Sequence, residues 1–86
     1  MKVDKIKEIF SQEMPLSVNK QDEIVQGIFI LYPFFMNEPI ILATEQDGIF
    51  FVSIESLSNH NIPEEELIKL RNLGFGVDQG YLHHFV

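Results

Sequence analysis

Ile24-Val25-Gln26-Gly27-Ile28-Phe29-Ile30-Leu31, running on into Tyr32-Pro33-Phe34-Phe35-Met36, is the stretch whose reading decides the fold of this chain. Under a two-residue period it is apolar on both sides. Ile24, Ile28 and Ile30 share one face, and Val25, Phe29 and Leu31 share the other, the pattern of a strand covered on both faces. Two further apolar runs follow, residues 40–44 and 49–54, with Asp47-Gly48 between them. Residues 24–54 are therefore expected to form a three-stranded meander. Pro33 ends regular pairing of its first strand, and residues 32–39 make an apolar corner that turns at Asn37-Glu38-Pro39.

Asp-Gly suits a two-residue type I′ turn, which needs positive φ at both positions. Such a turn at Asp47-Gly48 sets Gln46 opposite Ile49, Glu45 opposite Phe50 and Ala43 opposite Val52. The pleat then sorts Ile41, Ala43, Phe50, Val52 and Ile54 onto a face expected to lie under helices. Leu42, Thr44, Gln46, Ile49, Phe51 and Ser53 form the mixed opposite face.

Working outward, Val3, Ile6, Ile9 and Phe10 fall on one side of a helix expected over residues 3–13, which Pro15 stops. Residues 16–22 and 56–61 read as polar connectors. Asn61 is placed as the N-cap of a second helix with Glu64, Glu65 and Glu66 in its first turn and Leu67, Leu70 and Leu73 as its buried stripe. Gly74 closes that helix, and Phe75 folds back onto its last turn. Residues 76–80 read as a loop. Residues 81–86 alternate as a closing strand, with Tyr81, His83 and Phe85 on one face and Leu82, His84 and Val86 on the other.

The resulting order, α-β-β-β-α-β, predicts an α+β fold: a two-layer domain with a mainly antiparallel four-stranded sheet and both helices on one face. At 86 residues the chain is expected to be one domain, residues 1–86. Its 45% hydrophobic content and eight Phe supply a dense core, and with no Cys there is neither a disulfide nor a thiolate metal site. A cytoplasmic setting is the matching expectation. No hydrophobic leader is read in the first residues, and residues 24–43, interrupted by Gln26, Pro33, Asn37, Glu38 and Pro39, do not make the roughly 20-residue apolar run of a membrane span.

The net charge is −7. Residues 1–20 hold four Lys against three acids, whereas residues 21–86 hold ten acids against Lys69 and Arg71. That balance disfavours direct binding of nucleic acid and would steer a basic protein toward the chain.

Polar motifs for catalysis are missing. Glu64-Glu65-Glu66 is a helix first turn complementing the dipole rather than an acid pair in an apolar cleft. The glycines at 74, 76 and 80 follow a helix and precede a strand, the reverse of a phosphate loop. His83 and His84, adjacent on a strand, point to opposite faces and cannot hold one metal together. No cofactor is expected.

The expected function is thus a small acidic, non-enzymatic protein-interaction module: an accessory regulator, inhibitor, immunity protein or antitoxin, with a mimic of nucleic acid as its most specific form. Two helices cannot hide all the apolar side chains of residues 24–36, so a homodimer is expected. The interaction surface is placed at Tyr32, Phe34, Phe35, Met36, Ile49 and Phe51. The alternative is a homo-oligomeric domain with a small-ligand pocket near the 32–36 corner or at Tyr81, His83 and His84.

Overall fold

The structure is a computed structural model and describes residues 1–12 and 19–86. Its elements are α1 (Val3–Phe10), α2 (Lys20–Leu31) with a 3-10 turn at Tyr32–Phe34, β1 (Ile41–Glu45), β2 (Gly48–Ser53), α3 (Ile54–Asn59), α4 (Glu64–Asn72), β3 (Gly76–Asp78) and β4 (Tyr81–Phe85). The strands form one antiparallel sheet in the order β1-β2-β4-β3. The α+β class and the four-stranded antiparallel sheet are as read from the sequence; the chain segments that build them differ.

The largest correction is α2. The stretch expected as the first strand is a twelve-residue helix. Asn19 caps it, its side chain accepting from the Asp22 N–H at 3.0 Å, and Asp22 and Glu23 occupy the dipole-favoured first turn. Ile24, Gly27 and Leu31 are buried and Ile28 packs against the core, so positions i, i+3, i+4 and i+7 face inward. The expected connector at residues 16–22 lies outside the described residues up to residue 18, and from Lys20 it is α2. Pro15 and the last residue of the expected first helix are outside the described residues as well; α1 ends at Phe10.

A second unexpected helix, α3, occupies most of the expected 56–61 connector. Ser53 caps it by accepting from the Ser56 N–H. Asn61 is not the N-cap of α4 but the left-handed residue that ends α3, with φ +53. Its N–H reaches the Ser58 carbonyl, and the Ile62 N–H reaches Leu57. The same closure ends α4: Gly74 has φ +89, its N–H bonds to Arg71, and the Phe75 N–H bonds to the Leu70 carbonyl, as expected for a Schellman motif.

The hairpins exchange their expected turn chemistry. The β1–β2 register pairs Glu45 with Gly48, Thr44 with Ile49 and Ala43 with Phe50, so the connecting residues are Gln46 and Asp47. Neither of these, nor Gly48, has positive φ. Gly48 is required for another reason: a Cβ there would lie 2.1 Å from His83 Nε2. The positive-φ pair is Gln79-Gly80, at +53 and +82, which joins β3 to β4 inside the segment expected to be a loop.

The core lies between the helices and one face of the sheet. Phe51, Leu82 and His84 point into it, and Phe51 meets Phe75 edge-on at 5.3 Å. This corrects the expected facing at three positions of β2: Ile49 and Phe51 turn toward the helices, while Phe50 stands outside the core cluster beside His83 at 4.7 Å; Val52, and Ile54 at the start of α3, are in the core as expected. Ala43 and Phe50 share a face as expected, but irregularities between Ile41 and Ala43 and between Phe50 and Ser53 break the simple alternation, and Ile41 pairs with Phe51 instead.

Candidate interaction surface

The sheet face away from the helices carries an aromatic row. Phe50 sits between Tyr81 and His83, with centroids at 6.5 and 4.7 Å, and His83 in turn meets Phe85 at 4.9 Å. Antiparallel pairing produces the row, since Phe50 lies directly opposite His83 and the alternation of β4 puts Tyr81 and Phe85 on the same side. Phe50 and His83 shield one another and are buried; Tyr81 and Phe85 remain about half exposed.

β1 is one edge of the sheet, β3 being the other, and is exposed along its whole length. A register irregularity between Ile41 and Ala43 places Leu42 as an extra residue there. Two hollows adjoin on this outer face and share Leu42 and Tyr81 as walls. One, of about 330 Å³, is floored by Phe50 and bounded by Glu45 and Gln79. The other, of about 420 Å³, is floored by Val52 and bounded by Glu38 and Ser56.

Charge divides by layer. All six cations sit on or beside the helices: Lys2, Lys5 and Lys7 at α1, Lys20 at the start of α2, and Lys69 and Arg71 in α4. Lys5 pairs with Glu64 at 3.5 Å and Lys69 with Glu66 at 3.2 Å. The strands and their hairpin turns bear Glu45, Asp47 and Asp78 and no cation. The outer sheet face is therefore apolar with a purely negative rim.

The residues expected to form one interaction surface are dispersed. Phe35 and Phe51 are core residues at 2% and 0% exposure, and Ile49 and Phe34 pack against the core, so these four do not form the expected patch. Phe35 is held against His60, with ring centroids 4.3 Å apart. His60 Nε2 lies 3.0 Å from Glu38, and its Nδ1 lies 2.9 Å from the Ser56 carbonyl. Tyr32 and Met36 are exposed, but their companions are Val25 and Phe29 of α2, at spacings of four and three residues. Helical periodicity in residues 25–36 was the signal for that stripe, masked by the equally apolar residues between.

Of the alternative ligand set, Tyr81 and His83 share the outer face and His84 does not. His84 is buried on the helix side, its Nε2 2.8 Å from the Leu73 carbonyl at the end of α4 and 3.8 Å from Glu23 of α2, and its Nδ1 2.6 Å from its neighbour's carbonyl. It joins three elements of the fold. Among the described residues no cluster of three or more metal-ligating side chains occurs, and no helix is long and apolar enough to cross a membrane.

Compared with models of known protein families, with curated proteins and with solved structures, the chain matches none.

Proposed function

We propose that this chain is a non-enzymatic, cytoplasmic protein-interaction module that binds a basic partner along the open sheet face and the β1 edge. The observation that carries the reading is the pairing of a sheet face whose aromatic row leaves Tyr81 and Phe85 about half exposed with a rim of acids and no cation on the strands or their turns. An apolar patch of this kind marks association sites. An unpaired edge strand offers backbone groups to an incoming strand, and side-chain hollows beside it select alternate residues of that strand. Glu45 at one hollow and Glu38 at the other favour Lys or Arg in the partner, and the net charge of −7 steers such a partner in. An accessory regulator, inhibitor, immunity protein or antitoxin would fit this description.

The test is a titration of the 15N-labelled protein with an acetylated eight-residue peptide alternating valine and lysine. The expected shifts concentrate at residues 41–45, Phe50 and Tyr81, weaken as salt is raised, and fade in Glu45→Lys. Shifts confined to the helices, or an affinity indifferent to both salt and Glu45→Lys, would refute it.

A further inference from the structure

We infer that a second copy of the chain docks on the exposed side of α2, in an antiparallel helix pair whose two-fold axis crosses that side at the height of residue 27, opposite the buried face on which Gly27 meets Phe75. This surface is independent of the sheet face, and a different observation carries it. Val25, Phe29 and Tyr32 make an exposed apolar stripe along α2, and Met36, past the 3-10 turn that follows, is exposed as well; Phe29 is 73% exposed and Met36 65%. The spacing of four and three residues from Val25 through Phe29 to Tyr32 is that of a coiled-coil seam.

The stripe complements itself. An axis at the height of residue 27 sets Phe29 of one copy opposite Val25 of the other, and by symmetry the reverse. Val25 borders an open apolar groove of about 340 Å³ formed with Ile24, Ile49 and Val86, large enough to receive a phenyl ring. The same register sets Tyr32 opposite Asp22, where a phenol donates to a carboxylate. One copy thus presents both the projecting ring and the groove that takes it.

Area and charge agree with this occupant. The exposed parts of these four residues amount to roughly 400 Å² of apolar surface per copy, judged from the 150–250 Å² of a whole aromatic side chain. A standard interface needs about 800 Å² per partner, a little over half of it apolar. Two copies of a chain at −7 repel each other, and repulsion is least where signs are mixed. The outer flank of α2 bears Lys20 with Asp22, whereas the sheet rim bears acids alone.

Analytical ultracentrifugation and spin-label distances test the inference. The expected result is a particle of twice the 10.0 kDa chain mass at tens of micromolar, tightening as salt screens the like charges. Phe29→Glu should raise the dissociation constant at least about thirty-fold, as for the central aromatic of an interface, with an unchanged circular dichroism spectrum because the side chain is exposed. Spin labels on Gln26→Cys, the chain's single thiol, should lie within about 20 Å of each other, two helix diameters. A monomer at several hundred micromolar, or a dimer that Phe29→Glu leaves intact with distant labels, would overturn the inference. Either outcome leaves the salt-weakened peptide titration of the sheet face standing as a separate result.

Discussion

The ring of Phe75 lies so close to Gly27 that a methyl group on Gly27 would stand 2.2 Å from Phe75 Cζ. This contact seats α2 on the loop that follows α4, and it explains a glycine in the middle of a helix. Gly27→Ala raises helix propensity by about 1 kcal/mol, but the clash with a fully buried ring outweighs the gain. We expect a net destabilisation of about 1–3 kcal/mol, the usual cost of overpacking. Urea denaturation checks it, and Phe75→Leu in the same chain should recover part of the loss.

Gly48→Ala is expected to act at a distance from its own turn. The new methyl group meets His83 Nε2 at 2.1 Å and drives the ring from between Phe50 and Phe85. Exposed Phe50 and a disturbed aromatic row should follow, visible as large NMR shifts for Phe50 and Phe85 and as weaker binding of the valine-lysine peptide. A variant with unchanged shifts would show that the row does not depend on this contact.

His84→Leu keeps a side chain of similar bulk but takes the imidazole away from the Leu73 and Phe85 carbonyls, which its two ring nitrogens face. The expected loss is about 2–4 kcal/mol, since a buried polar group left unpaired costs more than a made bond contributes. Thermal unfolding measures it. Leu82→Val, nearby in the core but without polar partners, should cost less, about 1 kcal/mol.

Gln79→Asn should stabilise the fold. Gln79 is held at φ +53 in the β3–β4 turn, a conformation Asn tolerates better than Gln. The expected gain is a few tenths of a kcal/mol up to about 1 kcal/mol, read as a higher urea midpoint at constant slope.

The helix-ending Gly74 with Phe75 behind it, the amphipathic first helix and the alternation of residues 81–85 were all legible locally. Each depends on a single strong signal: a positive-φ position, an apolar spacing or a two-residue alternation. Residues 24–31 were not legible, because Ile24, Val25, Ile28, Phe29, Ile30 and Leu31 satisfy a two-residue and a 3.6-residue period alike. Length was the better arbiter there, since the run with its corner exceeds an ordinary strand. The candidate surface suffered from that choice. Tyr32 and Met36, placed at a surface, are exposed, but Val25 and Phe29, which are exposed beside Tyr32 along α2, were assigned to a covered strand.

By itself the sequence determined the α+β class, the acid excess after residue 20, the absence of thiols and the close of α4, because these follow from composition and from local backbone sterics. Only the tertiary structure decided which face of β2 is covered, which glycines are needed for close approach rather than for turning, and that the sheet rim is wholly negative. Those features depend on contacts between residues far apart in the chain, Gly27 with Phe75 and Gly48 with His83 among them, and no local pattern of apolar residues encodes such a meeting.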